Sequence, residues 1–386
     1  MWKRFAEFVG CPICRGALDL VVLEESDVKL APEHVSAAHA RGLPENGLGA
    51  RVEAGAFLCH SCRTIFPILN GLPILLTYQT GAHAVFAEKY QRKLAAVARD
   101  YHFPNETPAI GEEAVRESFS EEWQSYDYDG VIWELNYPDH ESRLLSEIGP
   151  IAAPNRIQRF LEVGCGVGLT TLHAQRNFGV DAVGMDLSSA PGKATAKFRG
   201  NPFLHFLQAS VFALPFRPQT FDLVYSRGVL HHTFSTEEAF RRIAPLCRRG
   251  GTLYLWVYGP GSINRSPLRL ALYAAERALR PVLSRDASSP GSRAVLATLA
   301  LPYWLYNGIR RIGNPGIQKL NFKRAVHAAR DRFTPKFAHR HSSDEVRLWF
   351  EQAGFERIEI VDWRNIPAAD HADFGRNTAV RGVAGE

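Results

Sequence analysis

The sequence predicts an α/β fold with a doubly wound parallel sheet at its centre, a small cysteine-bearing module before it and a helical insertion near its end. Three observations predict this. Residues 151–260 alternate short apolar strands with helix-patterned segments, as a parallel sheet with crossover helices requires. Alternating glycines, Gly164, Gly166 and Gly168, stand between the first of these strands and the helix after it. Two Cys-x-x-Cys pairs, Cys11 with Cys14 and Cys59 with Cys62, lie ahead of the sheet.

A chain of 386 residues has room for two or three domains and an ample core. Its hydrophobic share of 46% and charged share of 22% are those of an ordinary globular protein. No apolar run reaches the roughly 18 residues of a membrane span. A net charge of +5 permits anionic partners without calling for nucleic acid. The expected boundaries are 1–78 for the cysteine module, 79–150 for a helical, aromatic-rich lead-in, and 151–386 for the sheet domain, with its insertion at about 260–341.

In the first module, two thiolates on each tight turn suit a tetrahedral zinc ion with Zn–S bonds of about 2.3 Å. Two disulfides or a redox pair are the competing readings. Met1-Trp2-Lys3-Arg4 leads into no long apolar run, so no secretory signal is read and the expected compartment is cytoplasmic. A reducing compartment disfavours disulfides. Zinc on Cys11, Cys14, Cys59 and Cys62 is therefore the expectation, and a structural zinc, because four cysteines leave no position for water or substrate. Thr64 to Leu76 then reads as strand, Asn70-Gly71 turn and strand. Cysteine pairs plus hairpin resemble the small zinc-ribbon proteins that activate tRNA, rRNA and release-factor methyltransferases. The resemblance implies a module that docks beside a catalytic domain, here fused to it. Residues 24–55 read as an insertion on this ribbon. Of the other cysteines, Cys165 falls in the glycine run and Cys247 reads as part of a packed helix.

The lead-in holds helical stretches such as Ala84 to Arg99. Its second half carries Phe119, Trp123, Tyr126, Tyr128, Trp133 and Tyr137. These rings suit equally a cover over a bound cofactor and a seam gluing the segment to the core.

Glycines allow a tight turn and close approach to a ligand where a Cβ would clash. The helix expected near Val167 to Phe178 aims its free N–H groups and positive dipole end at that ligand. The next strand ends in Asp186, whose carboxylate can accept from two ribose hydroxyls. Loop and acid together predict an adenosine-containing cofactor. The dinucleotide fingerprint is G-x-G-x-x-G, whereas the run here is G-x-G-x-G with Glu162 two residues earlier. That is similar to the first motif of class I S-adenosylmethionine (SAM) methyltransferases. The resemblance continues in order through Gln208 to Phe216, Phe221 to His232 and Arg249 to Leu255. It implies a Rossmann-like methyltransferase sheet over roughly residues 155–260 and SAM as cofactor. It also implies a cofactor site of Glu162, Gly164, Cys165, Gly166, Gly168, Asp186, Leu187, Ser210, Val211 and Ser226. One departure is that Ser210 stands where the family carries an acid for the adenine amine; a hydroxyl can still accept that bond.

Between Gly259 and about Ser342 the alternation stops. The segment has helical periodicity, many arginines, and prolines at Pro267, Pro281, Pro290, Pro302 and Pro315. Its position predicts that Arg265 to Arg311 form the acceptor pocket or its gate. Ala294 to Tyr306 is strongly apolar, beside Arg293, Arg310 and Arg311. It reads either as a helix pair buried on the sheet or as an interfacial surface for a greasy acceptor. Asp331 to His341 is polar, aromatic and basic, and reads as a solvated loop or an anion-binding mouth. Ser343 is expected to cap a helix that Gly354 ends, and Phe355 to Trp363 to form a closing strand.

His231 and His232 follow the fourth strand of the sheet domain, where acceptor and methyl group would meet. Adjacent side chains diverge, so one of them is expected to face the cleft as a base, His231 ahead of His232. Ser226-Arg227-Gly228-Val229 stands where adenine and glutamine-amide methyltransferases carry Asn-Pro-Pro-Tyr, which argues against those substrates. The expected activity is SAM-dependent methyl transfer to a small or lipid-like metabolite, with peripheral membrane contact as an added expectation. One alternative is a tRNA-modifying enzyme that esterifies a carboxymethyl group on wobble uridine, with its activator in cis, to which Val229 to Glu238 is similar; nucleic acid is then the partner. Modest charge and the apolar insertion weigh against it. A second alternative, a SAM-binding scaffold without turnover, is disfavoured by the intact glycine run.

Overall fold

The computed structural model describes residues 1–386 apart from 45, 98, 126–130, 133–134, 150–156, 261–266, 285–288, 314–320, 362–376 and 386. The first module is an antiparallel sheet of β1 (Asp19–Asp27), β2 (Ala50–Cys59), β3 (Thr64–Leu69) and β4 (Leu72–Pro73), with α1 (Pro32–Ala40) between β1 and β2. Asn70 and Gly71 take φ of 53° and 75°, the left-handed pair that matches strand twist in a two-residue hairpin. The stretch read as an insertion is the module's own long hairpin, since Asp19–Asp27 pairs with Ala50–Leu58. Its tip docks on the neighbouring domain, where Ala38 and Leu48 pack with Phe203.

That docking is electrostatic at its centre. Asp181 is 3% exposed. It accepts both guanidinium N–H groups of Arg4 at 2.6 and 2.8 Å, a further bond from Arg41, and one from His205 at 3.2 Å. Burial would raise its pKa, but His205 and Arg4 outweigh burial and hold the carboxyl well below the usual range. Backbone bonds complete the joint. Gly10 N–H donates to Pro215 O and Leu75 N–H to Gln208 O, both at 2.8 Å. Ile74 thereby forms a parallel bridge to Gln208.

Helices α2 (Gly81–Val97), α3 (Glu112–Ser125) and α4 (Tyr137–Ile148), with the small hairpin β5 (Val131–Ile132) and β6 (Leu135–Asn136), lead into the main sheet. Tyr126, Tyr128 and Trp133 of the expected aromatic cover lie outside the described residues. The sheet contains β7 (Arg159–Val163), β8 (Asp181–Asp186), β9 (Leu204–Gln208), β10 (Phe221–Arg227), β11 (Cys247–Val257), β12 (Phe355–Ile360) and β13 (Thr378–Ala384). Their spatial order is β12-β13-β11-β10-β7-β8-β9. The five strands from β11 to β9 are parallel, and β13 is antiparallel to both its neighbours. Crossovers run through α5 (Leu169–Phe178), α6 (Pro191–Lys197) and α7 (Thr236–Ile243). Leu161, Val183, Leu207, Val224 and Leu255 are fully enclosed, as strands covered on both faces require. Strand order reverses around β7, so a crevice opens at the carboxyl ends of β7, β8 and β10.

Cys247 starts β11 and is not helical. A short 3-10 turn at Ala244–Leu246, carrying Pro245, ends the helix just before it. The cap over the sheet is α8 (Pro267–Leu283), α9 (Pro290–Gly313) and α10 (Phe322–Phe333). Pro281 and Pro302 lie inside helices rather than ending them. Leu296 and Ala300 of α9 pack with Ala325, Ala329 and Phe333 of α10 and offset the lost helix bonds. Buried Glu276 ties the cap down through Arg332 at 3.0 Å, Arg340 at 3.1 Å, and Arg280. The last helix, α11 (Ser343–Gln352), is capped by Ser342 rather than Ser343; its hydroxyl accepts from Glu345 N–H at 3.1 Å. The closing strand stops at Ile360 among the described residues, and β13, which no sequence signal announced, slots between it and β11.

Candidate active site

The crevice holds a cavity of about 430 Å³. Its floor is the turn from β7 into α5. Gly164, Gly166 and Gly168 all have positive φ, at 81°, 51° and 77°, where a side chain would be strained. Space excludes one as well: a Cβ on Gly164 would lie 2.1 Å from Val229, and one on Gly168 2.4 Å from Phe206. The ring of Trp123, from α3, lies over Gly166, 2.6 Å from where a Cβ would stand. Gly164, Cys165 and Gly166 line the cavity, whereas Gly168 caps α5 behind the wall.

Asp186 ends β8 at the cavity edge. It accepts from Gly166 N–H at 2.9 Å, Ser188 N–H at 2.8 Å and the Ser188 hydroxyl at 2.7 Å. These bonds fix the glycine turn against the second strand and hold the carboxylate ready for a ligand. Leu187 beside it packs with Ile74, Leu76 and Tyr78, so the ribbon supports this wall directly. Glu162 lines the cavity as well and, nearly enclosed, accepts from the Thr171 hydroxyl. Burial pushes its carboxyl up to about 8, with the Thr171 and Thr170 hydroxyls opposing the rise.

Ser210, Val211 and Phe212 form the wall after β9. The Ser210 hydroxyl oxygen already accepts from Phe212 N–H at 3.1 Å. Beside it stands Glu112, the first residue of α3, which local sequence did not single out. Glu112 is 7% exposed. Its Oε2 accepts from Ala109 N–H at 3.0 Å, while its Oε1 has no partner among the described residues. A carboxylate thus returns to this wall from another helix.

Of the two histidines, His232 lines the cavity and His231 does not. His231 is packed against Tyr258 at a ring separation of 3.9 Å. Burial, then His232 and His341, keep its pKa well below the ordinary value. His232 Nδ1 donates to Phe337 O at 2.8 Å, which leaves Nε2 as the acceptor. Burial lowers its pKa to about 4. Ser226 donates to Val163 O at 3.2 Å inside the sheet and does not reach the cavity.

The rest of the lining is cationic and aromatic, with Arg143, Arg227 and Arg324 among Phe119, Trp256 and Tyr258, while Arg116 lies by Glu112 and Tyr78. Arg227 bonds Glu147 at 3.1 Å and lies over Trp256 at 4.5 Å. The cap contributes through Arg324, His327, Ala328 and Asp331 of α10. Among the described residues, none from α8 or α9 lines the cavity, so the expected gate of Arg265 to Arg311 moves to α10.

In the ribbon, the Sγ atoms of Cys11, Cys14, Cys59 and Cys62 all lie within 4.8 Å of one another. The pairs Cys11–Cys62 and Cys14–Cys59 are 3.6 and 3.3 Å apart, close to the edge of a tetrahedron with Zn–S bonds of about 2.3 Å. The donor set fits structural zinc, with cysteine at every corner.

Residues 161–255 match the family described as a methyltransferase domain. Phosphoethanolamine N-methyltransferase 2 of Caenorhabditis elegans is 29% identical over 124 residues, 31% of this chain and 28% of that protein. Phosphoethanolamine N-methyltransferase 3 of Arabidopsis thaliana is 31% identical over 122 residues, 31% of this chain and 25% of that protein. The ubiquinone biosynthesis O-methyltransferase of Rhizobium rhizogenes is 30% identical over 147 residues, 37% of this chain and 56% of that protein. The chain thus spans about a quarter of the length of the first two relatives. With its glycine turn, strand-end acid and strand order, this chain carries a class I SAM-dependent methyltransferase domain.

Proposed function

We propose that the protein transfers a methyl group from SAM to a small or lipid-like acceptor bearing a negative group. The observation that carries this reading is one cavity with two unlike sets of lining residues: a glycine turn and Asp186, and Arg143, Arg227 and Arg324 with an aromatic cluster. Asp186 receives the ribose, Gly164 to Gly166 the amino-acid end, and Leu187, Val211, Ser210 and Glu112 the adenine. Glu162 stands at the cavity surface beside the amino-acid end, and Ser226 holds the strand from behind. SAM, when bound, supplies an electrophilic methyl on a sulfonium. The protein orients the nucleophile and excludes water, which Trp123 over the glycine turn supports.

His232 is the group placed to meet the acceptor. A pKa of about 4 leaves it neutral near pH 7 but a weak base. That suits orienting an acceptor through Nε2 more than stripping a proton from a hydroxyl. An amine or an already deprotonated oxygen is the nucleophile such a site favours. The names of the relatives, with phosphoethanolamine among them, agree with an anionic head held by Arg143, Arg227 or Arg324.

Calorimetry with SAM and S-adenosylhomocysteine, on the protein and on Asp186→Asn, tests the cofactor half. Loss of one charge-assisted acceptor should weaken binding by about 1.5–3 kcal/mol. Unchanged affinity would overturn the assignment. Transfer of labelled methyl from SAM into lipid, small-metabolite and tRNA fractions tests the acceptor half, and label found in tRNA alone would overturn it.

A further inference from the structure

The cap carries a surface that the cavity does not use. On α9, Leu296 and Ala300 face the cap's own core, whereas Leu301, Trp304, Leu305, Ile309 and Ile312 are 44, 37, 50, 66 and 85% exposed. At the helix repeat these five fall in one sector roughly 140° wide and run along about 16 Å of helix. Phe322, at the start of α10, is also exposed and meets Trp304 edge-on with ring centroids 6.0 Å apart. Exposed apolar residues are ordinarily scattered singly; a continuous stripe marks an interaction face.

Charge identifies what the face meets. Residues 260–341 hold fifteen lysines and arginines against three acids, a net +12 in a chain that carries +5 overall. One of the acids, Glu276, is buried among arginines, and another, Asp331, accepts from the Tyr258 hydroxyl at 3.3 Å. Little acid therefore offsets the positive field of the cap. An apolar stripe with tryptophan inside a cationic region is what an anionic bilayer surface selects. A second copy would set one +12 cap against another, and RNA would take the charge but leave the stripe in water. No described helix is long and apolar enough to cross a membrane; an apolar stripe along one exposed face of α9 suits a helix lying on the surface.

We propose that α9 and the start of α10 seat the protein on an anionic lipid surface. Arg324, two residues from Phe322, lines the cavity. The seated face therefore adjoins the active cavity, and an acceptor with an anionic head and an apolar tail reaches Arg324 without leaving the interface. This last step rests on the proposed acceptor class; the seating does not.

Flotation of the full chain with vesicles tests it, using phosphatidylcholine alone and phosphatidylcholine with phosphatidylglycerol, at low and high salt. The expected result is binding to the anionic vesicles only, weakened by salt, and at least tenfold weaker for Leu305→Ser/Ile309→Ser. Ile312→Ser, at the most exposed position, should weaken binding alone. Unchanged SAM affinity reports that these variants are folded. Four results would overturn the proposal: no vesicle binding, binding indifferent to the apolar substitutions, a dimer that the same substitutions dissociate, or RNA binding with no vesicle binding. Flotation without SAM binding would sink the cofactor assignment and leave the seating intact.

Discussion

Glu122 of α3 and His327 of α10 stand 205 residues apart in the chain and 2.8 Å apart at Oε1 and Nε2. Both are buried. The bond joins the helix that covers the glycine turn to the cap helix that lines the cavity, and Arg330 with Glu121 at 2.9 Å adds an ion pair between the same two helices. Burial disfavours charge on either partner. It pushes Glu122 up to about 8, with Arg330 opposing, and His327 down to about 4, with Asp331 opposing. A protonated carboxyl donating to a neutral imidazole satisfies both shifts.

The sign of the resulting pH dependence follows. A carboxyl raised from 4.5 to about 8 gives full stability below the unfolded pKa and loses it as pH rises through 8. Glu122→Gln keeps a donor to His327 and cannot ionise. His327, lowered to about 4, gains stability over the lower part of the range pH 5 to 9. The contrast with the variant therefore isolates Glu122: in urea unfolding across that range the parent should lose on the order of 3–4 kcal/mol relative to Glu122→Gln, at 1.36 kcal/mol per pKa unit. Parallel profiles would exclude a buried neutral pair.

Glu276 behaves in the opposite way. Burial raises its pKa, but Arg340, Arg332 and Arg280 outweigh burial and hold it below the ordinary value. Its contribution is present above about pH 4.5 and fades as pH falls through the lowered pKa. Glu276→Gln leaves three guanidinium groups facing a neutral amide and should cost about 3–5 kcal/mol, the range for breaking a buried pair. Added salt should restore part of that loss by screening the arginines. Thermal unfolding at low and high salt measures both effects.

Legibility followed the range of the physics. The glycine turn, Asp186 and the Asn70-Gly71 hairpin were legible because each needs particular residues within a short window. The four cysteines were legible because two Cys-x-x-Cys turns present four thiolates at the spacing of a tetrahedral metal site. Glu112 was not, because nothing near it in sequence says which wall it will reach. His231 and His232 differ in role through the loop's local turn, which places one ring on Tyr258 and the other on the cavity. The stretch 24–55 read as an insertion because pairing of β1 with β2 is non-local and Arg41 finds Asp181 across 140 residues. The apolar run 294–306 read either as buried or as interfacial, because apolar content alone does not say which face finds a partner.

Removing zinc should be felt at the cavity. The ribbon's Leu76 and Tyr78 pack on Leu187, next to Asp186. Cys59→Ser leaves three sulfur ligands, and metal analysis should then fall from one zinc per chain toward none. Protease should cut within residues 1–78 before the sheet domain. SAM affinity should weaken within the roughly 5–150-fold range of a coupling between two sites. Zinc loss with unchanged SAM affinity would leave the ribbon purely structural.

Glu112 provides the sharpest test of how the adenine is read. Ser210 is occupied by Phe212 N–H, whereas Glu112 Oε1 is buried beside it and has no partner among the described residues. An exocyclic amine on the ligand would satisfy that oxygen; an oxo group would oppose it. The parent should therefore bind S-adenosylhomocysteine more tightly than its inosine analogue, by about 10–150-fold for one hydrogen bond to a charged group. Burial raises the Glu112 pKa, with Ser210 and Ala109 opposing. Because the amine needs the ionised carboxylate, the preference should shrink as pH falls. In Glu112→Gln it should shrink at every pH, since an amide can turn either a donor or an acceptor toward the base. Calorimetry with both ligands separates this from a role in folding alone, which would weaken the two equally and leave their ratio untouched.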